Sequence, residues 1–219
     1  MNKLTLKTEW LALLLIVLAI GLSIWAYPQL PERVASHWNV AGEVDGWSSR
    51  LFHSIFFPAL LVGLYVMFIV LPYLDPKKER YAEFTGVYRM IKDAILFVMT
   101  GVFVVATFYN LGYDINVGVV IPSLIGVLFL VMGNYFGKIK RNWFVGIKTP
   151  WTLSSENIWN KTHRLGGRLF MIFGLLMIIS PWLPFTGSMA VILIGVGLLV
   201  FGTYIYSYLL FRQEKKDRQ

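Results

Sequence analysis

Residues 138–168 read KIKRNWFVGIKTPWTLSSENIWNKTHRLGGR, and the reading of this stretch decides the fold. It is a long polar segment set between apolar runs, at residues 117–136 before it and 169–183 after it. It holds seven of the chain's twenty Lys and Arg and three of its eight Trp. In a soluble domain such a stretch would be ordinary surface. Here the flanking runs approach the roughly 20 apolar residues that cross a bilayer, so the stretch is a loop between membrane spans.

Working outward, four more apolar runs appear, at 10–27, 55–74, 94–111 and 189–211. The composition agrees, with 57% hydrophobic residues and only 15% charged ones. The first run is longer than the apolar core of a signal peptide and has no small-residue cleavage site before Pro28, so it reads as an uncleaved span. The expected fold is all-α: a polytopic membrane protein with six transmembrane helices. Both termini are expected in the cytoplasm, with a small extracytoplasmic loop at 28–54 and a cytoplasmic amphipathic helix.

The orientation follows from the basic residues. With the N-terminus inside, eighteen Lys and Arg fall in cytoplasmic segments, including Lys3 and Lys7, and only Arg33 and Arg50 lie outside. The net charge of +8 is then explained by topology and by anionic lipid, so no direct nucleic-acid contact is needed. With no Cys, thiolate chemistry and disulfides are excluded. No Ser/His/Asp set, paired carboxylates or phosphate loop appears, so neither catalysis nor a cofactor is expected. No ionisable residue lies mid-span. Lys92, Asp93 and Asp114 are placed at span ends, where snorkelling makes charge inexpensive. Gly133 and Gly137 form a small-xxx-small pair that suits internal packing or dimerisation equally.

Within 138–168, Trp143, Phe144, Trp151 and Trp159 suit the headgroup level. Gly146 and Pro150 frame a turn, with Thr149 held extended by the proline after it. Thr152 or Ser154 can cap a new helix, with Glu156 in its first turn. From Ser155 on, Ile158, Trp159, Thr162 and Leu165 share one side, while Lys161, Arg164 and Arg168 form a basic stripe. The expectation is an amphipathic helix lying on the inner leaflet and entering span five through Gly166 and Gly167. A plain surface connector, charged only to enforce topology, remains the alternative.

In the outer loop, Pro28 and Pro31 force an extended exit from span one, and residues 33–39 suit a short strand. Asn39 to Gly42 and Asp45-Gly46 are turn signals, so a hairpin-like cap is expected. His37, Glu43, Asp45 and His53 are metal-ligand types, but their spacing matches no metal motif. The plainer reading has Trp38 and Trp47 at the interface while His37 and Asp45 bond locally.

The run GIKTPWTLSSENIWNKTHRLGG resembles the signature segment of the SdpI family of bacterial membrane proteins. The positions that carry the likeness are Gly146, Ile147, Lys148, Thr149, Pro150, Trp151, Thr152 and Leu153, then Trp159, Thr162, His163 and Arg164. The outer loop is similar to a module of unknown function that often precedes this segment, through Pro31, Val34, His37, Trp38 and Asn39, then Gly42, Asp45, Gly46 and Trp47. The resemblance implies two parts, an N-terminal membrane module at 1–75 and an SdpI-like membrane domain at 76–219. It also implies an immunity and signalling role in the bacterial cell membrane: resistance to a secreted peptide toxin, with a cytoplasmic autorepressor held at the membrane. The alternative is a membrane carrier or enzyme for a small or lipidic substrate, with Asn110, Asn116, Asn134 and Tyr135 reaching a common cavity.

Overall fold

A computed structural model describes residues 5–217; Lys3 and Arg218, counted above among the inside charges, lie outside the described residues. Among the described residues, six stretches are long and apolar enough to cross a membrane. The first four spans are α1 (Leu6–Ala26), α2 (Arg50–Leu74), α3 (Thr85–Asn110) and α4 (Val117–Phe136). A one-turn helix α5 (Pro150–Ser154) precedes span five, α6 (Glu156–Ile179), which ends in a 3-10 turn at Ser180–Trp182. The sixth span is α7 (Phe185–Gly197), a π-helical turn at Leu198–Gly202, and α8 (Thr203–Lys216). At about 1.5 Å per residue, the 21 residues of α1 reach about 31 Å, one bilayer core.

Large apolar side chains cover the outside of the bundle, as a hydrocarbon solvent requires. Five exposed Trp lie near the span ends: Trp10 and Trp143 at one end of the bundle, and Trp25, Trp47 and Trp182 at the other. The hairpin occupies the second end. Strands β1 (Arg33–Trp38) and β2 (Val44–Ser49) pair antiparallel, with Arg33 opposite Ser49 and Trp38 opposite Val44. The turn is at Asn39 to Glu43, where the Asn39 side chain accepts from the Glu43 N–H at 3.0 Å and Gly42 takes a φ of 81°. Asp45-Gly46 is not a turn. It lies within β2 beside an irregularity in the register, and a Cβ on Gly46 would sit 2.8 Å from the Cβ of His37.

One expectation about charge is corrected, and one open question of packing is decided. Lys92 does not snorkel; it lies two turns inside α3, 1% exposed, ion-paired with Glu9 of α1 and with its ammonium 5.3 Å from the Tyr65 ring. The pattern hid this because Glu9 and Lys92 are 83 residues apart and each, alone, looks like a helix-end charge. Of the two readings of the Gly133 and Gly137 pair, Gly133 serves internal packing, against α6. A Cβ on Gly133 would lie 2.6 Å from the Gly167 carbonyl, and one on Gly126 2.6 Å from that of Gly174. Each pair is seven residues from the next, two helical turns, so antiparallel α4 and α6 touch backbone to backbone twice.

That contact also decides the form of 156–168. No separate helix lies along the leaflet: α6 runs unbroken from Glu156, capped by the Ser155 hydroxyl, which accepts from the Ile158 N–H. Ile158, Trp159, Thr162 and His163 face inward and are fully buried. Trp159 is therefore a core residue rather than a headgroup anchor.

Candidate functional site

The loop between α4 and α5 is built on one side chain, Asn142. Its amide donates to the carbonyls of Lys140 (2.8 Å) and Val145 (2.9 Å), and its oxygen accepts from the N–H groups of Phe144 (2.8 Å) and Val145 (2.7 Å). This fully buried Asn side chain thus completes the backbone hydrogen bonding that an irregular, half-buried loop lacks. Asp75, at the C-terminus of α2, accepts from the Trp143 N–H at 2.9 Å, from the Tyr81 hydroxyl at 3.0 Å and from the Lys77 N–H at 2.8 Å. Burial and the adjoining Asp75 carboxylate push the Tyr81 phenol well above its ordinary pKa.

The next turn is held by His163. Its Nε2 accepts from the Ile147 N–H at 2.9 Å, so that nitrogen carries no proton, and Nδ1–H donates to the Trp159 carbonyl at 2.8 Å. The ring is neutral, and stacks on Trp159 at 4.0 Å between centroids and on Phe136 at 5.4 Å. Trp159 in turn donates from Nε1 to the Ile139 carbonyl at 2.8 Å. Gly146 lets the chain pass this stack: its φ is 119°, and a Cβ there would lie 2.4 Å from His163 Nε2. Gly146→Ala is expected to destabilise the protein by about 2–3 kcal/mol, through positive-φ strain and displacement of the imidazole. Thermal unfolding in detergent checks it, and an unchanged midpoint would remove His163 as the fixed point of the turn.

Thr149, extended as expected, caps α5 and shares a reciprocal box with Thr152: each hydroxyl accepts from the other's N–H, at 3.1 Å and 2.8 Å. The Thr149 hydroxyl also lies 3.0 Å from that of Ser207, while Trp151 packs on Tyr204 and Tyr208. Asn157 donates to Glu214 at 2.6 Å. The loop is thereby tied to α8. Arg80 is clamped by Glu156, at 2.8 and 2.6 Å, and by Glu83, at 3.0 Å. These hydrogen bonds raise its pKa.

The motif residues thus divide by burial. Thr149, Thr152, Trp159, Thr162 and His163 are buried scaffold, and the Thr162 hydroxyl has no partner among the described residues. Trp143, Lys148, Pro150 and Arg164 face outward, as do Lys161 and Arg168 of the basic stripe. Gly146, Ile147 and Trp151 are intermediate. Asn142, Asp75, Tyr81 and Ser207 were not picked out from sequence; a lone Asn or Asp in a loop gives no signal of partners up to 68 residues away.

At the opposite end the hairpin is pinned by Asn110 of α3. Its side chain accepts from the Ala35 N–H at 2.6 Å and donates to the Ala35 carbonyl at 2.9 Å, and Trp38 meets Tyr109 edge-on. His37 pairs with Asp45 side chain to side chain rather than with local backbone. His53 is buried on α2, 3.0 Å from the Thr107 hydroxyl, and so does not join His37, Glu43 and Asp45 in one cluster. Pro31 and Trp47 are exposed. Beneath the hairpin is a cavity of about 350 Å³, mostly apolar, whose lining includes His37, Trp38, Asn39, Val105, Ile121 and Ser188. Asn110 and Asn116 lie at this end and Asn134 and Tyr135 near the far end of α4, so the four do not reach a common cavity.

The SdpI/YfhL protein family matches residues 138–207, and a domain of unknown function (DUF1648) matches residues 14–62. The chain is also similar to the protein named Immunity protein SdpI from Bacillus subtilis (strain 168), with 22% identity over 211 residues, 96% of this chain and 98% of that one. No solved structure matches it. The turn built on Asn142, Gly146 and His163, the capping box at Thr149 and the whole of α6 and α7 fall inside the first of these matches, and the hairpin inside the second. The chain is a multi-pass bacterial membrane protein whose residues 138–207 match the model of the SdpI/YfhL protein family.

Proposed function

We propose that this protein is a non-catalytic immunity protein that protects its cell from a secreted killing peptide and signals the peptide's presence. The observation that carries the reading is the likeness, over 96% of the chain, to a protein named for immunity. The distribution of Lys and Arg orients the motif end to the cytoplasm and the hairpin outside. The peptide then meets the hairpin end, where an apolar or amphipathic segment suits the walls of the 350 Å³ cavity. Glu32, Glu43, Asp45 and Asp114 outnumber Arg33 and Arg50 there, which favours a cationic peptide. On the inner face, Lys161, Arg164 and Arg168, with Lys148 and Trp143 alongside, offer an exposed basic surface for an acidic face of an autorepressor.

Expression in a peptide-sensitive bacterium, challenged with a dose series of the cognate peptide, tests the reading. Survival should shift to higher doses, and Ile121→Trp, which fills the cavity, should abolish the shift at equal membrane levels. Unchanged survival with the native chain ends the immunity reading. Replacing Lys161, Arg164 and Arg168 together with Gln should leave survival intact but weaken attachment of the repressor or of lipid on the inner face, the anionic-lipid part by about 1 kcal/mol per charge. A tagged repressor that still moves to the membrane in this variant would take the stripe out of the mechanism.

A further inference from the structure

A second groove lies at the motif end, open to lipid between α1, α3 and α4, with a volume of about 550 Å³. Its mouth carries Lys7 and Arg89, and neither makes a salt bridge among the described residues. The carboxylate that lines it, Asp93, lies 3.5 Å from the buried Lys92 ammonium and also feels the charge of Arg89, one turn before it on α3, so the mouth keeps a net positive charge from Lys7 and Arg89. Thr8 and Trp10 also border the mouth. Further along, the walls turn apolar, with Phe97 and Val98 of α3 and Val127 and Val131 of α4. Phe97 and Val98 lie eight or nine residues beyond Arg89, about 12 Å deeper at 1.5 Å per residue.

We propose that this groove binds one anionic phospholipid, its phosphate held by Lys7 and Arg89 and an acyl chain laid against the walls. Cations at headgroup level attract an anionic headgroup, and the apolar walls below select a ligand that brings its own hydrocarbon. A soluble phosphate gains nothing from those walls. Two other lipid-facing grooves serve as internal comparisons: one between α6 and α7, the other between α1 and α2 near Ser23 and Ser54, neither lined by a charged residue. Those take acyl chains without regard to headgroup.

The test is native mass spectrometry of the full chain in detergent with equal phosphatidylglycerol and phosphatidylcholine. One phosphatidylglycerol should be retained preferentially, and Lys7→Gln and Arg89→Gln should each lower that preference about fivefold. Val131→Trp, which keeps both cations and fills the groove, should release the lipid as well. The triple Gln variant of Lys161, Arg164 and Arg168 should retain it, separating the groove from the basic stripe. Equal retention of the two lipids, loss in the stripe variant alone, or displacement by glycerol phosphate would each overturn the proposal.

Discussion

Lys92→Met is expected to destabilise the protein by about 3–5 kcal/mol, because it leaves the Glu9 carboxylate buried with no cation beside it. Glu9 is 5% exposed and Lys92 1%, and the pair joins α1 to α3 inside the bundle, with Tyr65 of α2 against the ammonium. Neither side chain can turn to water without breaking the contact of three helices. Glu9→Gln should cost a similar amount, since Lys92 would keep only the more distant Asp93 at 3.5 Å. The double change Glu9→Gln with Lys92→Met should recover most of the loss, because a buried ion pair and a neutral pair of like volume are close in free energy. Unfolding in detergent, read by helical circular dichroism, completes the double-mutant cycle. Additive single effects would show that the two charges act separately.

Gly133→Val is expected to cost about 3 kcal/mol or more, the upper end for overpacking, because what its Cβ meets is backbone. The Gly167 carbonyl would be 2.6 Å away and the Met171 nitrogen 2.8 Å, and neither can swing aside as a side-chain tip can. The helices must separate, and the contact at Gly126 and Gly174 opens with them. Gly137→Ala is the control. Its Cβ would meet only the Arg164 Cγ, at 3.5 Å, an ordinary contact, so its midpoint should stay near that of the native chain. If Gly133→Val melts with Gly137→Ala, the backbone contact of α4 with α6 is not what holds the motif end together.

The same contact explains why residues 156–168 read as a surface helix and fold as part of a span. Their pattern is amphipathic, and an amphipathic helix next to a membrane can turn its apolar side to lipid or to protein. Ile158, Trp159 and Thr162 carry no mark that distinguishes the two. Gly133 and Gly167 decide it, by bringing α4 and α6 close enough that Trp159 and His163 fall into the core beside Phe136. The basic stripe was legible because charge at helical spacing stays outside in either case.

The outer hairpin was legible in outline. The strand at 33–38 and the Asn39 to Gly42 turn are local chemistry, and the structure keeps both. The extended exit expected at Pro28 is instead a turn, with Tyr27 helical (φ −47°, ψ −51°) and the Gln29 and Leu30 N–H groups donating to the Ala26 carbonyl. Asp45-Gly46 misled because the same dipeptide serves a tight turn or a register irregularity, and only the partner strand, here His37, says which.

By itself the sequence determined the six spans, the turn at Gly146, the extended Thr149 and the basic stripe. All of these follow from apolar length, backbone stereochemistry or helical period, which act within a few residues. The tertiary structure alone decided that Lys92 is buried against Glu9, that Asn142 and Asp75 hold the motif loop, and that His163 is a structural acceptor rather than a free group. It also decided that a cavity lies beneath the hairpin and a cation-edged groove beside α1. Each depends on side chains from distant segments meeting in a low-dielectric interior. There a polar group must find a partner, and its position in the chain does not reveal which one.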